Sequence, residues 1–170
     1  MKCNYDNKKI FSAFLTVYFA IVLFIPFPAN SSFHDENVVF LGGENLLILT
    51  NRERASLKIE ALTLNDQLGR AAQMKADDMA KNSYFSHVSP AGMTPWSWFY
   101  KAEYKPEKAG ENLALVPIGD SGVVQAWMNS PRHRENILRA NFHDIGFGLT
   151  RGVYKGREVW YVVQLFGKEM

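Results

Sequence analysis

Residues 145–166 read IGFGLTRGVYKGREVWYVVQLF, and their period decides the class of fold. Ile145, Phe147 and Leu149 alternate with glycine and threonine, the pattern of a half-buried strand. Gly152-Val153-Tyr154-Lys155-Gly156 has the composition of a hairpin connection, and Glu158 to Phe166 follows as a second strand rich in β-branched and aromatic residues. Upstream, the period is helical. Before the first strand, His133 to Leu138 predicts a short helix started by Ser130-Pro131, and Asp120 to Met128 another, capped by Asp120 or Ser121. Glu111 to Val116 is a short strand or the edge of one, preceded by a polar loop over Lys105 to Gly110. Trp96 to Ala102 predicts an aromatic helix after a Pro- and Gly-containing loop, 83–95. Asn65 caps a helix that carries Leu68, Ala71, Ala72, Met79 and Ala80 at helical spacing and ends near Asn82; its alanines predict close packing. Leu46 to Leu57 is the first helical stretch. Helices come first and an antiparallel pair last, so the class is α+β.

Further out lies the N-terminus. Lys2, Lys8 and Lys9 precede an uncharged run, 10–27, IFSAFLTVYFAIVLFIPF, closed by Pro26 and Pro28 and followed by the small-x-small triplet Ala29-Asn30-Ser31. This is a basic segment, an apolar segment and a cleavage site: residues 1–31 are expected to be a signal peptide or an uncleaved membrane anchor. Either places the remainder outside the cytoplasmic membrane, in a periplasm, at the cell surface or secreted. Residues 32–45 are expected to be a linker, with His34 solvated, and 46–170 the domain. The 170-residue chain has one cysteine, Cys3, ahead of the apolar run, so a disulfide framework and a Cys-zinc site are excluded. With 47% hydrophobic, 14% aromatic and 21% charged residues, the chain suits one globular domain with a real core. The net charge of +2 is carried by residues 1–31, despite a pI of 8.6. A neutral domain offers no long-range field to phosphate, so no nucleic-acid partner is expected.

The residues with chemistry are His87 in the 83–95 loop, Glu111 after Gly110, and Ser130 and His133 around Pro131. They sit at loops and element ends, where binding residues collect on a rigid scaffold. They form no local motif: there is no H-E-x-x-H, G-x-S-x-G or phosphate loop.

Six short motifs in order change the reading: Asn51-x-x-Arg54; Phe85-Ser86-His87; Gly110-Glu111-Asn112-Leu113; Ala126-Trp127-Met128-x-Ser130-Pro131-x-His133-Arg134-x-Asn136-Ile137-Leu138; Ile145-Gly146-x-Gly148; and Gln164-x-Phe166-Gly167. Together they resemble the CAP superfamily, the cysteine-rich secretory protein, antigen 5 and pathogenesis-related 1 group, in its bacterial SCP-like extracellular branch. The resemblance covers about residues 46–168. It implies a three-layer α-β-α sandwich with a central antiparallel sheet and a cleft lined by two histidines and two acids. By motif position His87 and His133 match the cleft histidines and Glu111 the first glutamate. The second glutamate's place, three after Trp127, is Ser130, which removes one carboxylate and weakens any mechanism that needs paired acids.

Two neutral imidazoles across a cleft suit a divalent metal, zinc first, with Glu111 as third ligand or as hydrogen-bond partner to one imidazole. The alternative is a histidine pair that only holds three loops together. Ser130 or Ser86 with His133 as base would make a serine hydrolase, but Ser130 ahead of Pro131 reads as a helix cap. Asn51, Arg54, Asn112, Trp127 and Asn136 are expected to support the site structurally, the polar ones by buried hydrogen bonds. Trp96, Trp98, Phe99, Tyr100 and Tyr104 are a core-facing helix or an apolar or glycan-binding wall. Arg132, Arg134 and Arg139 form a basic edge that could attract an anionic surface polymer. Three functions follow: a binding module for a small or lipid-like ligand, a metal or an envelope polymer; a protease-like or cell-wall hydrolase; and a structural module with a vestigial cleft. In some eukaryotic members the resemblance implies sterol or fatty-acid binding. A membrane enters only through an uncleaved N-terminal segment.

Overall fold

The computed structural model describes residues 42–117 and 120–170. The export segment and its cleavage site, Cys3, His34 and the Val38–Leu41 patch lie outside these residues. So do the side chains of Asp120 and Ser121, the expected caps of the fourth helix. Contacts divide the chain into two units, Met1–Asp35 and Glu36–Met170, and every described residue falls in the second. No described helix is long and apolar enough to cross a membrane.

The order of elements is α1 (Gly43–Ser56), β1 (Thr63–Leu64), α2 (Asp66–Lys81), α3 (Pro95–Lys101), β2 (Pro106–Val116), α4 (Asp120–Asn129), α5 (Pro131–Leu138), β3 (Asp144–Tyr154) and β4 (Arg157–Glu169). The sheet runs β1-β3-β4-β2. Its body is antiparallel, with β4 between β3 and β2, and the two-residue β1 adds a parallel edge to β3. Alternation along β4 separates two cores. Tyr161, Val163 and Leu165 pack beneath α2 and α3 with Leu68, Ala72, Met79, Trp98 and Phe99. Val162 and Phe166 pack beneath α1, α4 and α5 with Leu46, Val123, Trp127 and Ile137. The result is the α-β-α sandwich, built by a strand whose two faces are both buried.

Asn65 caps α2 as its position predicts, its Oδ1 accepting from the Gln67 and Leu68 amides at 2.9 and 3.0 Å. The alanines of α2 meet the glycines of β3. A Cβ on Gly146 would stand 2.2 Å from the Leu68 carbonyl carbon, and one on Gly148 2.2 Å from that of Ala72. Helix and strand therefore touch backbone to backbone.

Four expectations are corrected. β3 is more than half-buried in its first part: Ile145 to Gly148 are all buried, because helices cover both faces there. Of the loop predicted over Lys105 to Gly110, all but Lys105 belongs to β2. It reads polar because β2 is an edge strand with an exposed end, where Glu107 pairs with Lys168 at 2.5 Å. The hairpin connection is only Lys155-Gly156, both at positive φ, with Gly152 to Tyr154 paired in β3. Helix α1 begins at Gly43, inside the predicted linker, because the extended Gly42 serves as N-cap and its carbonyl accepts from the Leu46 amide at 3.1 Å.

Candidate functional site

The site forms at the β2 edge of the sheet, where both helical layers reach the same residues. Glu111 lies opposite Leu165 in the ladder and faces the α2 side; Asn112, opposite Gln164, faces the α5 side. With no strand beyond β2 among the described residues, side chains from α5 close on it. Asn136 of α5 donates to the Glu111 carbonyl at 3.2 Å and to Asn112 Oδ1 at 2.9 Å. Asn112 Nδ2 donates to the His133 carbonyl at 3.1 Å and to Gln164 Oε1 at 2.9 Å, and Gln164 Nε2 donates to Thr50 Oγ1 at 3.0 Å. Trp127 Nε1 donates to the Leu113 carbonyl at 3.1 Å. These bonds satisfy buried polar groups and fix α5 against the edge strand. Asn112, Trp127 and Asn136 thus tie α4 and α5 to β2.

The other wall is the loop between α2 and α3. Lys75 of α2, fully buried, donates from Nζ to the Ser86 and His87 carbonyls at 2.9 Å each. Its ammonium lies 5.3 Å from the centre of the Tyr84 ring and 6.0 Å from that of Trp98. Burial pulls the Lys75 amine below its ordinary value, and Glu111 and Asp78 oppose that shift. Held in this way, His87 presents Nδ1 to Glu111 Oε1 at 2.6 Å. The His87 side chain is 57% exposed and that of Glu111 only 5%. The second carboxylate oxygen, Glu111 Oε2, is buried without a hydrogen-bond partner among the described residues.

The two histidines are pushed in opposite directions. The hydrogen bond that His87 donates to Glu111, opposed by partial burial, raises His87 above the ordinary histidine value. Burial, then the nearby charge of His87, lowers His133. His87 therefore adds stability that is fully present below pH about 6.5 and is lost as pH rises through its raised folded value. His133 has the opposite sign. Below about pH 6.5 the unfolded chain binds its proton first, so stability falls as pH drops towards the lowered folded value. Two-dimensional NMR titration of the ring C–H protons should give one midpoint above and one below the free value. Glu111→Gln should bring the higher one down. Two coincident midpoints in the parent would contradict the geometry.

The structure joins His87 directly to Glu111 and brings His133 within range of the His87 charge. Among the described residues no three His, Cys, Asp or Glu side chains close into a set that could hold a metal. Of the expected trio, His87 and Glu111 meet directly, through Nδ1 and Oε1. Ser130 occupies the N-cap position of α5, with Pro131 next, but its hydroxyl makes no capping hydrogen bond. Pro131 already presets the first turn, and the Ser130 carbonyl accepts from the Arg134 amide at 2.9 Å. No hydrogen bond among the described residues joins Ser130 or Ser86 to His133. The aromatic stretch divides. Trp98, Phe99 and Tyr104 are core, whereas Trp96 and Tyr100 are 48% and 61% exposed. Trp96 and Phe99 wall a cavity of about 330 Å³ whose other side includes His87, Gly110, Glu111 and Asn136. A second concavity, about 510 Å³, lies at the far end of the sheet near Val116, Arg151 and Trp160, and contains no predicted site residue.

Lys75, Thr50 and Gln164 are the contributors that the reading of site residues missed. A signal for Lys75 was present: it holds an apolar-stripe position between Ala72 and Met79, where a solvated lysine has no place.

Comparison with known proteins agrees with the fold. A family model described as the cysteine-rich secretory protein family, CAP, matches residues 47–166. The uncharacterized protein YkwD of Bacillus subtilis is 36% identical over 123 residues, 72% of this chain and 45% of YkwD. The crystal structure of an extracellular SCP-domain protein from Bacillus anthracis is 30% identical with a TM-score of 0.62, over 74% of this chain and 40% of that one. The structure of an outer surface protein from Borrelia burgdorferi is 29% identical with a TM-score of 0.62, over 75% of this chain and 95% of that one. This chain thus spans less than half the length of the two Bacillus relatives.

Proposed function

The chain belongs to the cysteine-rich secretory protein family, CAP, and from that premise we propose that it is an extracytoplasmic binding domain whose His87–Glu111–His133 cleft takes a divalent cation, zinc first, together with a small ligand. The observation that carries this reading is the 2.6 Å bond between His87 Nδ1 and Glu111 Oε1. It commits Nδ1 and leaves Nε2, on an exposed ring, as the free ligating nitrogen. A carboxylate behind a histidine is the arrangement that orients and strengthens an imidazole ligand. His133, held towards its neutral form, has a lone pair available. His87 and His133 would hold the ion, with Glu111 behind His87, and the remaining positions would be open to water or ligand. When bound, the ion would supply Lewis acidity at those open positions. The extracytoplasmic placement is supported by the basic and apolar N-terminal segment and by the extracellular and outer-surface descriptions of the two structural relatives near 30% identity.

Zinc should raise the melting temperature of the parent and leave a His87→Ala, His133→Ala double variant unmoved. Glu111→Gln should weaken binding by about 10- to 100-fold. If excess zinc shifts neither parent nor variant, the metal reading is overturned. A second reading, an envelope hydrolase, draws support from the opposed proton affinities of the two histidines, which suit a donor and an acceptor. Turnover of peptidoglycan or casein that is lost in Glu111→Gln would establish it. Absence of zinc binding, ligand retention and turnover alike would leave a structural module.

A further inference from the structure

Building on the cleft reading, we infer that the cavity beside His87 is a subsite for a neutral sugar ring, with the Trp96 indole as its stacking face and His87 and Asn136 as its polar rim. Trp96 spends large apolar area in water, 48% exposed, while Trp98 and Phe99 two and three residues on are 4% and 1% exposed. The Phe99 ring backs it at 6.0 Å with a 36° tilt, so a buried neighbour sets the angle of the exposed indole. That is a flat apolar wall held in place beside hydrogen-bonding groups. His87 has Nδ1 occupied by Glu111 and so, in the metal-free cleft, offers its Nε2 edge to a hydroxyl. Asn136 spends its amide nitrogen on the Glu111 carbonyl and Asn112, which leaves its oxygen to accept from a hydroxyl. A pyranose has the matching surfaces: an apolar C–H face and a rim of hydroxyls.

Size and charge narrow the class. A volume of about 330 Å³ lies at the small end of ligand sites and takes one or two rings rather than an extended acyl chain. The Glu111 carboxylate is answered by His87 and by the Lys75 ammonium, so the cavity offers no free countercharge to an organic carboxylate or amine. A neutral polyol suits it better than a carboxylate or an amine.

Saturation-transfer NMR on the full chain, with chitotriose as probe and dodecanoate as control, tests this. Transfer to the ring C–H protons of chitotriose is expected. Trp96→Ala should weaken binding about tenfold, the loss of one stacked aromatic face, and Trp96→Phe should recover most of it. The zinc-induced thermal shift, measured on the same samples, should survive Trp96→Ala. A zinc shift without chitotriose transfer overturns the sugar subsite and keeps the metal cleft. Chitotriose transfer without a zinc shift keeps the subsite and removes the metal. Transfer to dodecanoate instead, or chitotriose binding unchanged in Trp96→Ala, also overturns the inference. Sedimentation of the parent with insoluble chitin assigns the sugar to a polymer; binding of the trisaccharide alone assigns it to a free oligosaccharide.

Discussion

An Arg54→Leu variant should lose about 4 kcal/mol of stability, and the cleft should lose its shape with it. Arg54 is fully buried on α1, yet none of its hydrogen bonds goes to a carboxylate. Its guanidinium donates to four carbonyls: Glu60 at 2.7 Å, Ile137 at 2.9 Å, Arg139 at 3.0 Å and Phe142 at 3.3 Å. Three of these belong to the end of α5 and the turn after it, where the helix carbonyls lack partners within the helix and a cation is favoured. Leucine fills much of the volume but donates nothing, so four carbonyls would be left short of a donor. Arg54→Lys keeps the charge without the planar fork and should fall between. Because α5 carries His133 and Asn136, the same variant should lose the zinc response. Urea unfolding followed by circular dichroism measures the first effect. A loss under about 1 kcal/mol would mean that water replaces the guanidinium and the clamp is unimportant.

Gly148→Ala should cost about 3–4 kcal/mol, the upper end for overpacking. The added methyl would stand 2.2 Å from both the carbonyl carbon and the oxygen of Ala72, and backbone cannot swing aside as a side-chain tip can. Relief requires α2 to lift from β3, and with it the layer that carries Lys75 and the His87 loop. Gly69→Ala is the matched control. Nothing lies within 4 Å of a Cβ there, and the site is inside α2, so that variant should gain about 0.5–1 kcal/mol. Denaturant midpoints for the pair should move in opposite directions. Equal midpoints would show that the contact between α2 and β3 is looser than these distances state.

These two positions mark how far the linear order of residues can be read. The helix cap at Asn65, the alanine stripe of α2 and the β3–β4 pair were legible because each depends on neighbours within one turn or two strand residues. Arg54 could be marked as a buried tie, but not the address of its bonds, since its partners lie more than 80 residues away in α5 and the following turn. The length of β2 was hidden because an edge strand has a wet side that permits loop-like composition. The two-residue β1 was invisible because two residues are too short to show a period; the Thr63 and Asn65 amides donate to the carbonyls of His143 and Ile145.

Order of residues alone decided the α+β class and the family, and marked His87, Glu111 and His133 as candidates for one site. It did so through local periodicity and through motifs whose register survives translation into one dimension. Only the tertiary structure decided how those groups are used. It placed Glu111 on Nδ1 of His87 instead of in a three-ligand set, and put the buried ammonium of Lys75 behind the loop. It also turned Trp96 outwards while burying Trp98. The reason is that hydrogen-bond partners and electric fields are set by separations of a few ångströms between residues far apart in the chain, and those separations exist only once the layers have packed.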